Sequence, residues 1–246
     1  EAETFRWEDA IIYQVVIDRF RSSAGPLSHD LPASFIHGGD LIGITESIES
    51  GYFENLGANV LWLSPVIDNP EGQFIGRDGH LAESYHGYWP SDARRVETRI
   101  GGESALRDLI HAAHTRGIRV ILDHVLNHIH TDHPYSQHEQ AESWLNHPDG
   151  SCICGFSCPW STNIQDCWFD PFLADLNWHN PEVAKTQIDD AIYWLEEYNL
   201  DGFRVDAVPM MPRMAIRKLR HELNIKLGHR PNDYYLLGET YTGVFG

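Results

Sequence analysis

Along this chain the apolar residues fall into two kinds of run that take turns. Residues 11–17, 59–64 and 118–125, the stretch 201–208 and residues 234–237 are short and largely apolar, as expected of parallel strands covered on both faces. Between them the apolar positions open out to a helical period. Ile48, Tyr52, Phe53 and Leu56 make one stripe, with Gly57 as its stop. Leu106, Leu109, Ile110 and Ala113 make the next, in a helix expected over 103–116 and ended by Gly117. For a third helix, Asn180-Pro181-Glu182 supplies an N-cap, a proline at the first helical position and an acid in the first turn. Its stripe is Ala184, Ile188, Ala191, Ile192 and Leu195. A fourth is expected over about 212–224. Strands and helices in βα order predict an α/β fold of the TIM (β/α)8-barrel type, with any active site at the C-terminal ends of the strands.

Three stretches depart from this alternation. Residues 22–43 are rich in turn formers and predict a long loop. Residues 66–94 predict another, rich in Gly, His and aromatic residues, and long ordered loops in compact domains tend to be functional. From 128 to 175 periodic apolar positions are few, while His, Cys, Pro, Trp and Asn are many. This last stretch interrupts the alternation after the third strand. Cys152, Cys154, Cys158 and Cys167 all lie in it. Their spacing fits two disulfides in an oxidising compartment or a four-thiolate site for a metal, most plausibly zinc.

Composition narrows the partners. A chain of 246 residues, 42% hydrophobic and 22% charged, can bury a full core and has the size of one barrel domain. Its formal charge of -18 argues against nucleic acid or an anionic membrane, which it would repel, but not against a neutral sugar polymer. No stretch approaches the roughly 20 apolar residues of a membrane span. No signal peptide opens the chain, so the compartment stays open, with a secreted or periplasmic setting favoured.

The chemistry concentrates at strand ends. Arg204 and Asp206, two residues apart, must point to the same side of any strand that carries them, and a cation beside a carboxylate keeps it ionised. Downstream, Tyr234-Tyr235-Leu236-Leu237-Gly238-Glu239 ends another strand in a second carboxylate. Gly202-Phe203-Arg204-Val205-Asp206-Ala207, Asp123-His124-Val125-Leu126-Asn127-His128 and Gly238-Glu239 together resemble, in order and spacing, the conserved segments of the α-amylase family of retaining glycoside hydrolases. The resemblance runs from Ile11 to the end of the chain.

That resemblance implies a catalytic barrel acting on α-glucosidic bonds of starch, glycogen or maltooligosaccharides, divided into 1–126, with strands one to three, a small Cys-rich inserted domain at 127–175, and 176–246, with strands four and five. Asp206 would be the nucleophile, Glu239 a less solvated acid/base, and Arg204 the cation that holds Asp206 ionised. Tyr85-His86-Gly87-Tyr88-Trp89 looks like the family segment lining the sugar subsite, which makes Tyr88, His86 and Trp89 substrate contacts; His128 would join them, and Asp123 would support the site through hydrogen bonds. Asn127 and Asp175 resemble ligands of a structural calcium ion. His128, His130 and His133 offer a second, transition-metal reading.

Two departures from the family pattern matter. Where many members carry Lys-His after the nucleophile segment, this chain has Pro209-Met210, which brings transglycosylation (for example of trehalose synthase type) forward as an alternative. The family's fourth segment, with its further aspartate, does not occur before Gly246, so the barrel is expected to be incomplete, to need a missing C-terminal part and to be inactive alone. A non-catalytic carbohydrate-binding barrel and a cysteine-coordinated metal protein are the readings from other classes.

Overall fold

The computed structural model describes residues 5–137, 139, 141–228 and 234–240. Its centre is a parallel sheet of β1 (Ile12–Val15), β2 (Val60–Leu63), β3 (Arg119–His124), β4 (Gly202–Val205) and β5 (Tyr235–Gly238), in the order β1-β2-β3-β4-β5. Each strand pairs with the next in sequence, and β1 and β5 each have one neighbour among the described residues. This is the succession of a (β/α)8 barrel, incomplete in this chain. In β3 and β4 the consecutive apolar runs are explained by burial on both faces: all of β4 and all but the first residue of β3 are buried. Gly202 opens β4 because the strand passes so close to β5 that a Cβ there would lie 2.0 Å from the Tyr235 carbonyl oxygen.

The connecting helices are α1 (Leu41–Glu49), α2 (Gly102–Thr115), α3 (Pro181–Glu197) and α4 (Arg213–Lys226). On α2 and α3 the predicted stripes are the buried faces. The first helix differs from expectation. It begins at Leu41, inside the stretch expected as loop, because the Asp40 carboxylate accepts from Gly43 N at 2.6 Å and caps it, which buries Leu41, Ile44 and Ile48. It also ends before the predicted stripe does. Gly51, with φ 77°, breaks it, and Tyr52–Asn55 form a separate turn. The first strand is shorter than the 11–17 run, since the chain turns helical again at Ile17–Phe20.

The insertion leaves after β3 and returns through an antiparallel pair, His128–His130 against Leu173–Asp175, with His128 opposite Asp175. Its apolar residues Ile129, Trp144, Leu145, Ile153 and Trp168 are continuous with the core of the barrel, so most of it is not an independently packed unit. Among the described residues the cysteines, with Phe169 against them, form a separate cluster. They are bridged as Cys152–Cys158 and Cys154–Cys167, with none free. A bridged sulfur is not a thiolate, so the four-cysteine zinc site, and with it the cysteine-coordinated metal protein, is overturned.

Candidate active site

The sheet brings Asp123, Arg204, Asp206 and Glu239 to its C-terminal end. Asp123 lies near the end of β3, opposite Arg204 of β4; Asp206 directly follows β4 and Glu239 directly follows β5. Arg204 joins them. Its Nη1 donates to Asp123 Oδ1 and to Asp206 Oδ1, each at 2.7 Å, and its Nη2 lies 3.0 Å from Glu239 Oε2. One planar guanidinium therefore contacts both candidate catalytic carboxylates.

One cation facing three carboxylates leaves the cluster short of positive charge. Burial, then the neighbouring Asp123, pushes the Asp206 carboxyl up to about 7, more than Arg204 offsets. This corrects the expectation that Arg204 simply holds Asp206 ionised. The expectation of a less solvated Glu239 is also reversed: its side chain is 40% exposed, against 11% for Asp206. Burial likewise raises Asp123, which accepts from Tyr88 Oη at 2.7 Å and Trp62 Nε1 at 3.1 Å as well as from Arg204.

Trp62 and Ala207 escaped the sequence reading. Trp62 lies inside the apolar run of β2, and its contact with Asp123 spans 61 positions, so nothing local marks it. Ala207 takes φ 50°, a strained conformation for a residue with a Cβ, and its N–H is thereby given to Glu239 Oε2 at 2.9 Å. That hydrogen bond fixes the acid on β5 to the turn after β4.

The aromatic loop forms the wall. Tyr88 N donates to His86 Nδ1 at 2.9 Å, which leaves the proton of the neutral ring on Nε2; burial depresses the His86 pKa to about 4. Trp89 is buried against Phe74, His86 and Phe172, and its N–H is held by Asn69 Oδ1 at 2.8 Å. His128 Nε2 lies 2.9 Å from the Tyr88 carbonyl oxygen, while its buried Nδ1 has no hydrogen-bond partner. Tyr88, Trp89 and His128 border the same cleft, of ≈ 450 Å³, as Arg204, Asp206 and Glu239. His130 and His133 do not join a metal site with His128: their Nδ1 atoms accept from the N–H groups of Asp132 and Tyr135, and among the described residues the three do not converge.

Asp175 is a separate, buried carboxylate. Its two oxygens accept from Asn127 Nδ2 at 3.1 Å and Asn146 Nδ2 at 2.8 Å, and with no cation beside it burial pushes its pKa well above the carboxylate range. Asp175, Asn127 and Asn146 thus bring together side chains that carry oxygen donors, the donor type that suits calcium, and Asn146 is one that sequence did not single out.

Comparison with known proteins agrees with this geometry. Residues 14–243 match the family model "Alpha amylase, catalytic domain". Alpha-amylase 3 of Schizosaccharomyces pombe is 34% identical over 217 residues, which cover 83% of this chain and 37% of that protein. A cyclomaltodextrin glucanotransferase of Bacillus licheniformis is 30% identical over 230 residues, covering 82% and 31%. The α-amylase of Geobacillus thermoleovorans, solved in complex with acarbose, superposes with a TM-score of 0.79 at 29% identity, over 97% of this chain and 48% of that one. The chain thus spans between about a third and a half of the proteins it matches. With the family model covering nearly its whole length and the family's motifs gathered around Arg204, the chain belongs to the α-amylase family.

Proposed function

We propose that the complete protein acts on α-glucosidic bonds of starch, glycogen or maltooligosaccharides with retention of configuration, through a covalent glycosyl-enzyme intermediate. The sharing of Arg204 by Asp123, Asp206 and Glu239 is the observation that carries this reading. Sugar binding alone needs no such convergence, whereas a retaining glycosidase needs two carboxyl groups roughly 5 to 5.5 Å apart. Ionised Asp206 attacks the anomeric carbon, while Glu239 gives its proton to the departing glycosidic oxygen. The product is an ester between C1 and Asp206, plus a free sugar hydroxyl on the leaving side. Glu239, now a carboxylate, takes a proton from water, whose oxygen attacks C1 and frees Asp206. Arg204 and the strand-end hydrogen bonds keep both acids oriented. Tyr88 and His128 line the cleft in which the sugar would sit, and Tyr88 is tied to Asp123 there.

A second sugar hydroxyl in place of water turns the same cycle into transglycosylation. Pro209-Met210 and the glucanotransferase among the relatives support that as the runner-up. The proposal includes a structural calcium ion held by Asp175, Asn127 and Asn146, which would neutralise the buried carboxylate and tie the two ends of the insertion together. It also includes a requirement for the rest of the barrel, since β1 and β5 each leave one edge unpaired among the described residues. Proton NMR of the first product tests the reaction type. An α-anomer released before mutarotation supports retention, and a β-anomer contradicts it.

A further inference from the structure

The disulfide-bonded loop reaches into the active-site cleft, and nothing in the proposed chemistry uses it. Trp160, 37% exposed, borders the same cleft as Asp206 and Glu239, together with Phe169 and Arg77. Its ring packs on Phe169 at 5.8 Å between centroids, and Phe169 packs on His128 at 5.0 Å, so Trp160 stands two rings away from the residue beside Tyr88.

Trp160 is held in place from several sides. Its indole lies so close to the main chain at Gly155, φ 70°, that a Cβ there would come within 2.6 Å of Nε1. Gly155 sits between bridged cysteines, next to Cys154 and three residues before Cys158. Arg77 places its guanidinium 5.5 Å from the Trp160 ring centroid, donates to the Cys154 carbonyl, and gives its own N–H to Asp170 Oδ1 at 2.6 Å. An exposed indole fixed this firmly, on the wall of a cleft, has the properties of a stacking surface for the apolar face of a pyranose ring, with a guanidinium alongside for hydroxyls.

We propose that Trp160, positioned by the two disulfides and flanked by Arg77, is a sugar-binding platform for a glucose unit remote from the cleavage point, and that it sets a preference for longer α-glucan chains. This rests on the glycosidase reading above.

The test compares kcat/KM for maltotriose and maltoheptaose in the complete enzyme, with Trp160→Ala and Trp160→Phe beside the unsubstituted protein. Trp160→Ala is expected to lower the maltoheptaose value by about tenfold while leaving maltotriose within about twofold, and Trp160→Phe is expected to restore most of the loss. An equal loss on both substrates, or no loss on either, overturns the platform while the glycosidase reading stands. An unsubstituted enzyme that turns over neither sugar overturns both.

Discussion

Burial of Asp206, then the acids that share Arg204 with it, fixes the sign of a stability effect. In the unfolded chain Asp206 would lose its proton near the ordinary value of 3.8, whereas in the fold it keeps it up to about 7. Stability therefore falls as pH rises across that window and stays reduced above it. Asp206→Asn removes the buried charge, so it should raise the melting temperature at pH 8, with the gain shrinking as pH falls towards 4. Thermal denaturation across that range checks it, and a gain that does not depend on pH would contradict it. Arg204→Met works in the opposite sense, because it strands Asp123 and Asp206 in the interior; removing one partner of a buried pair costs about 3–5 kcal/mol, read by denaturant unfolding at pH 7. Sequence reached Arg204, Asp206 and Glu239 because each stands at the end of an apolar run. It misjudged the ionisation of Asp206 and the exposure of Glu239 because the solvation of a side chain is a property of the assembled sheet: Asp206 is covered, while Glu239 stays partly in water.

Among the elements, those that alternate cleanly were legible and those held by long-range contacts were not. β3 and β4 read correctly because burial on both faces leaves consecutive apolar positions, and α2 and α3 because one buried face leaves a stripe. The start of α1 was hidden in a turn-rich stretch, since only the Asp40 cap and the packing of Leu41 and Ile44 define it. In the insertion, spacing alone left disulfides and metal equally open; pairing of Cys152 with Cys158 and of Cys154 with Cys167 depends on which sulfurs the fold brings together. The insertion's two ends meet where His128 pairs with Asp175, beside Asn127 and Asn146. If calcium sits there, adding it should raise the melting temperature of the complete protein and a chelator should lower it. Asp175→Asn should abolish the response; an unchanged response in that variant would move the ion elsewhere.

At the scale of the whole molecule, buried imidazoles make the fold sensitive to acid. Burial depresses His86, His124, His128 and His133 to about 4, so each contributes stability that is complete above the unfolded value of 6.5 and is lost as pH falls towards 4. His124 stacks on Phe203 at 4.5 Å, away from the catalytic cluster. His124→Phe should therefore lessen the pH dependence of unfolding by about 1.4 kcal/mol per pH unit between those limits, as read by urea unfolding at a series of pH values. The central claim, that the two acids gathered on Arg204 divide the work of nucleophile and acid/base, is tested most directly by trapping the intermediate. In the complete enzyme carrying Glu239→Gln, α-maltosyl fluoride needs no acid to leave, and the resulting ester lacks the base that would hydrolyse it. Peptide mass spectrometry should then find a maltosyl adduct on Asp206; an adduct on any other residue, or continued turnover with none, would contradict the account.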